Sequence, residues 1–253
     1  MCIRDRGGTY YNQLWKDSNF VLGEPVSEIK YVCRNVDIIM ARLIKNETVE
    51  LFGKNATVPF INGCDNSYHP CQILADALTI LEKFGTLDVN LMYIGAKNNV
   101  FNSHVEFFSK MKKGTLYGLT PLVNETACGP DFYEEAKKSG HYIELDPAMS
   151  MEEAKEYANK MDVLYTDTWV DMEFFNNPAY QKQKEETLAK MMPYQLNGDF
   201  TKDSKAIVFH DMPMHVGFEI SQDVVDKNLD HILDEAENRR HAEKAVMYTL
   251  LNS

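Results

Sequence analysis

The chain of 253 residues lacks the features that mark special environments. No apolar run approaches the roughly 20 residues needed to span a bilayer, and no signal pattern is recognisable at the start, so no membrane partner is expected. Cysteine is sparse: Cys2, Cys33, Cys64, Cys71 and Cys128 are odd in number and contain no Cys-x-x-Cys pair. That spacing argues against a disulfide framework or thiolate zinc site and fits a reducing, cytoplasmic location. The seven histidines share no ligand spacing with the cysteines, so neither metal nor haem is expected. A glycine-rich phosphate loop is missing, because Gly95 stands alone ahead of Asn98 and Asn99. No cofactor is expected. Positive charge is also scarce, with 26 Lys and Arg against 38 Asp and Glu and a net charge of −12, which argues against nucleic acid as a partner.

What remains is ordinary globular composition, 44% hydrophobic and 25% charged, in a chain long enough for two modest domains. Strand and helix signals alternate along it, which predicts an α/β fold. Helices are expected over 26–36, 47–54 and 72–84, with strands over 38–42 and 58–62. Gly85 through Asp88 makes the turn into a second set: strands at 89–94, 115–120, 142–145, 163–166 and 206–210, and helices at 100–111, 130–139, 150–160 and 178–192. Ser150-x-Glu152-Glu153 is a capping signal for the 150–160 helix. An amphipathic helix over 235–251 closes the chain. The expectation is two lobes, each a parallel sheet flanked by helices.

Ligands of open α/β sheets lie beyond the carboxyl ends of the strands. Asn98, Asn99, Asp167 and Asp211 all fall there, although any one of them could serve as an Asx turn or helix cap. The stretch Asn66-Ser67-Tyr68-His69-Pro70-Cys71-Gln72-Ile73-Leu74-Ala75-Asp76 organises the first half. Pro70 suits the first helical turn. His69 and Gln72 therefore stand at a helix N-terminus, where free N–H groups and the helix dipole favour an anion. Read alone, such a pair more often means a capping ring and a surface amide.

The wider pattern changes that reading. His-Pro-x-Gln-x-Leu-Ala-Asp resembles the signature of the aspartate/ornithine carbamoyltransferase family. Further segments resemble the family in its own order. They are Gly23-Glu24-Pro25-Val26-Ser27-Glu28 with Asp37-Ile38-Ile39-Met40-Ala41-Arg42, then Ile94-Gly95-Ala96-Lys97-Asn98-Asn99-Val100-Phe101-Asn102-Ser103. Asp167-Thr168-Trp169, His210-Asp211-Met212-Pro213 and Glu235-Ala236-Glu237-Asn238-Arg239-Arg240-His241-Ala242 follow. The resemblance covers roughly residues 20 to 252.

The resemblance implies three parts: a truncated carbamoyl-phosphate-binding domain over 1–84, an amino-acid-binding domain over 85–234, and a C-terminal helix over 235–253 that packs back on the first. It implies a reaction in which a neutral amine attacks the carbamoyl carbon of carbamoyl phosphate, with ornithine as the acceptor closest in pattern. In that reading Arg42 bridges phosphate and carbamoyl oxygen, while His69 and Arg239 donate to the carbamoyl oxygen. Gln72 and the carbonyl of Met212 accept from the carbamoyl nitrogen. Asn99 and Asp167 hold the amino-acid head group, with Asp171 and Met172 beside them. Asp211 stands where the family usually has the cysteine of His-Cys-Leu-Pro, and as a carboxylate it could accept the amine's proton.

Three departures qualify this. Asp171-Met172-Glu173 replaces the Ser-Met-Gly usual in ornithine enzymes, and together with Asp211 it adds carboxylates near the acceptor pocket. Residues 1–8 resemble no part of the family, and its Ser-x-Arg-Thr phosphate loop does not occur. These departures leave open another amine or ureido acceptor, the catabolic direction, or an inactive truncated homologue. The resemblance also implies a homotrimer for the full-length protein.

Overall fold

The computed structural model describes residues 23–170 and 175–253. Glu24 starts the first helix, α1 (Pro25–Cys33), by accepting from the N–H groups of Val26 and Ser27 at 3.0 and 2.7 Å, with Pro25 in the first turn. Strand β1 (Ile39–Arg42), helix α2 (Asn46–Asn55) and strand β2 (Phe60–Cys64) follow, and β1 and β2 pair in parallel. Ile29, Cys33, Leu43, Val49 and Phe52 form the core of this lobe. A register shift between Ala41 and Arg42 sets Arg42 opposite Cys64, at the carboxyl ends of both strands. Helix α3 (Pro70–Phe84) ends at Gly85, whose φ of 69° is the left-handed conformation that closes a helix without a Cβ clash.

The second lobe contains β3 (Asn90–Lys97), β4 (Thr115–Val123), β5 (Tyr142–Glu144), β6 (Val163–Thr166) and β7 (Ile207–His210). All five pair in parallel in the order β5-β4-β3-β6-β7. Its helices are α4 (Asn99–Lys110), α5 (Pro130–Lys137), α6 (Met151–Ala158), α7 (Gln181–Met191), α8 (Gly198–Thr201) and α9 (Gln222–Leu251). Successive side chains of a strand point to opposite faces. Leu91 and Tyr93 of β3 accordingly pack with Phe101, Val105 and Phe108 of α4, whereas Met92 and Ile94 pack with Ala154 of α6 and Val224 and Ile232 of α9. Both faces are covered, as a parallel sheet requires. The chain runs outward from β3 to β5 and then returns to β6, so the strand order reverses between β3 and β6.

The expected α/β class with parallel sheets and a C-terminal helix packed back on the first lobe is present. Two element readings change. The helix expected at 178–192 divides into a 3₁₀ turn, Pro178–Tyr180, and α7. The last helix begins at Gln222 rather than residue 235, is 30 residues long, and buries Val224, Val225 and Ile232 in its first half. Its polar opening hides the pattern, since only that one narrow stripe faces the sheet. Residue 235 lies inside this helix, which runs unbroken from its contact with β7 to its contact with α3.

Candidate active site

The loop before α3 is shaped by Asp65, a buried carboxylate between β2 and His69. Its Oδ1 accepts from the N–H groups of Ser67 and Tyr68 at 2.6 and 2.7 Å, while Oδ2 accepts from Asn46 and Asn62 at 2.9 and 2.8 Å. Asn99, Asn102 and Ser103, spaced as one helical face of α4, clamp the same loop from the other lobe. Asn99 donates to the Asp65 carbonyl at 2.7 Å, Asn102 donates to the Ser67 carbonyl at 2.9 Å, and Ser103 Oγ accepts from the His69 N–H at 2.7 Å. The Asn99 amide nitrogen is thus turned to the other lobe.

His69 caps α3 with its backbone only. Its buried ring places Nε2 3.8 Å from Asp211 Oδ2, and Nδ1 has no partner among the described residues. Burial lowers its pKa, opposed by Asp211 and reinforced by Arg239 and Arg42, so the ring is neutral near pH 7. Gln72, three residues on, is fully buried and donates through Nε2 to Glu235 at 2.6 Å, Asp76 at 2.8 Å and Tyr165 at 3.3 Å. Its Oε1 accepts from Arg239, which also ion-pairs with Asp211. His69, Gln72, Asp211 and Arg239 therefore form one connected group drawn from α3, the end of β7 and α9.

Arg42 stands at the rim, exposed at the end of β1, and no hydrogen bond or ion pair to a described residue engages it. Its charge is felt at His69 and Cys64. Asp167 follows β6 and accepts from Asn98 Nδ2 and the Thr168 N–H, each at 2.7 Å. Burial, with Asp211 adding to it, raises the Asp167 carboxyl to about 7. Met212 is half-buried beside Asp211 and precedes a cis peptide to Pro213. Asp171 and Met172 lie outside the described residues.

Asp65, Asp76, Tyr165 and Glu235 join the site although no motif assigns them a role there. Two of these carry a legible signal, because Asp76 lies four residues after Gln72 and Glu235 four before Arg239, each pair on one helix face. Chemically the group offers guanidinium forks and a helix N-terminus to a small anion. Its carboxylates, buried Asp167 and half-buried Asp211, suit an amine.

Residues 8–82 match the family profile described as aspartate/ornithine carbamoyltransferase, carbamoyl-P binding domain, and residues 87–250 match its Asp/Orn binding domain. An ornithine carbamoyltransferase of Archaeoglobus fulgidus is 32% identical over 258 residues, which cover 99% of this chain and 78% of that one. One from Pyrococcus horikoshii is 37% identical over 246 residues, covering 90% and 70%. The solved ornithine carbamoyltransferase of Pyrococcus furiosus superposes with a TM-score of 0.79 at 33% identity, over 94% of this chain and 74% of that one.

Proposed function

The chain belongs to the aspartate/ornithine carbamoyltransferase family, and from that premise we propose that it transfers the carbamoyl group of carbamoyl phosphate to the side-chain amine of ornithine, giving citrulline and phosphate. The observation that carries this reading is the single group formed by His69, Gln72, Asp211 and Arg239 where the two lobes meet. In this reading residues 1–84 bind carbamoyl phosphate, 85–234 bind the amino acid, and 235–253 return Arg239 to the cleft.

Arg42, without a hydrogen-bond or ion-pair partner among the described residues, has a fork for the phosphate and the carbamoyl oxygen. As the neutral amine attacks, charge builds on the carbamoyl oxygen, and the Arg239 guanidinium and His69 ring stabilise it. The unpartnered Nδ1 of His69 supports such a contact. Gln72 Oε1 accepts from the carbamoyl nitrogen. The new C–N bond forms, the amine's proton passes to Asp211, and the bond to the phosphate oxygen breaks. Asp167 pairs with the α-amino group. Backbone groups, Met212 O among them, complete the cradle.

A second reading rests on Asp211, which stands where the family usually has cysteine. Two carboxylates in the acceptor pocket, Asp167 and Asp211, favour a more cationic acceptor such as a diamine. The unpaired cysteines support a cytoplasmic setting, and family membership supports a homotrimer. The test is product formation from carbamoyl phosphate with ornithine, aspartate, N-acetylornithine and putrescine in parallel. Citrulline as the dominant product is expected; carbamoylputrescine in its place would establish the second reading, and no product from any amine would contradict carbamoyl transfer.

A further inference from the structure

The amide of Gln72 is held in one orientation by groups that do not themselves face the substrate. A carboxamide nitrogen can only donate and its oxygen only accept. Two carboxylate oxygens, Asp76 Oδ1 at 2.8 Å and Glu235 Oε1 at 2.6 Å, take the two Nε2 hydrogens. Turning the amide over would set its oxygen against the Asp76 carboxylate and its NH₂ against the Arg239 guanidinium.

Glu235 is itself anchored, while Asp76 faces a histidine ring. Asp76 Oδ2 lies 3.2 Å from His104 Nε2, and His104 Nδ1 lies 3.0 Å from the Val100 carbonyl. A carbonyl only accepts, so Nδ1 carries the hydrogen and Nε2 presents a lone pair unless the ring is charged. Glu235 Oε2 accepts from the His210 N–H at 2.8 Å, one residue before Asp211. Glu235 also lies one helical turn before Arg239 on α9. Burial and the adjoining Asp76 carboxylate raise the Glu235 carboxyl well above its usual range. Carbamoyl transfer as described places neither side chain against a reacting atom, and both are almost completely buried.

We infer that Asp76 and Glu235 are positioning residues that lock the Gln72 carboxamide with its oxygen toward Arg239 and the carbamoyl group. The kinetic consequence rests on the carbamoyl-transfer reading; the orientation of Gln72 does not.

The test is a cycle of variants read two ways. Asp76→Ala removes an acceptor and is expected to lower kcat/KM for carbamoyl phosphate by about ten- to a hundredfold, the scale of a misplaced reacting group. Asp76→Asn is the conservative rescue, since its Oδ1 still accepts from Gln72 while its Nδ2 donates to His104 Nε2. It is expected to stay within about threefold of the parent. In a Gln72→Ala background, Asp76→Ala is expected to cost little more, because the amide it positions is gone. An equal loss in both backgrounds would overturn the inference.

The second readout is the Gln72 side-chain NH₂ pair in the ¹⁵N–¹H spectrum, assigned by its loss in Gln72→Ala. It is expected to shift in Asp76→Ala and Glu235→Ala and hold in Asp76→Asn. A pair unmoved by Asp76→Ala overturns the inference even in an active enzyme. A pair that moves as expected in a chain inactive toward every amine upholds the inference and faults the reaction assignment instead.

Discussion

Asn98 donates to Asp167 across the point where the strand order of the large sheet reverses, at 2.7 Å. The contact joins the carboxyl ends of β3 and β6, where open α/β sheets place their ligands. The Asp211 carboxylate adds to the burial that raises Asp167 to about 7.

That shift has a sign for stability. The folded state holds a proton on Asp167 up to about pH 7, whereas the unfolded chain releases it near the ordinary aspartate value of 3.8. Between those values the native state binds more protons, so this group makes stability fall as pH rises, by up to about 1.4 kcal/mol per unit. Denaturant unfolding from pH 4 to 8 is expected to show this fall, and its absence from Asp167→Asn assigns it. In the proposed reaction, ionised Asp167 pairs with the substrate amine. The acid limb of kcat/KM for the amine is therefore expected near pH 7.

Removal of Asp65 should unfold the loop that presents His69. Asp65→Ala leaves four donors without their carboxylate. A loss of about 3 kcal/mol is expected in denaturant unfolding, allowing for water replacing part of the network.

Gly118 on β4 leaves room for Phe101 of α4, whose ring carbon Cζ would lie 2.7 Å from an added Cβ. Gly118→Ala should push α4 off the sheet, costing about 1–3 kcal/mol in urea unfolding as overpacking does. The same helix carries Asn99, Asn102 and Ser103, so weaker ordering of the His69 loop is expected alongside, read by hydrogen exchange at His69.

Arg239→Ala removes a cation from Gln72 and Asp211 together. A fall of about 10²–10³ in kcat is expected in the product assay, the scale of one lost oxyanion donor. Arg239→Lys should recover only part of it, because one ammonium does not reproduce the planar fork.

Much of this organisation is legible along the chain. Strand β6 spans the residues expected of it, Val163–Thr166, because a short apolar run between polar turns has few other uses. Other boundaries move for physical reasons. Strands β3 and β4 run to Lys97 and Val123, three residues beyond expectation in each case, because pairing between them continues past a register shift near Gly95. The opening of α9 escapes detection because its charged residues mask a narrow buried stripe. Within the site, His69, Gln72 and Arg239 could be named from motifs, but the acceptors around Gln72 depend on α9 lying across α3. The role of Asn99 is similar: its place after a strand invites a substrate contact, while the fold brings Asp65 within reach of it first. Arg42 is expected at the cleft and stands at its rim, without a protein partner among the described residues.

In the proposed reaction one small anion is gripped from both lobes. Calorimetric titration of carbamoyl phosphate into the parent chain, Arg42→Ala and Arg239→Ala tests this directly. Saturable binding by the parent, weakened at least about tenfold in each variant as loss of a charge-assisted contact implies, is the predicted result. Binding that survives both substitutions undiminished would contradict the shared cleft.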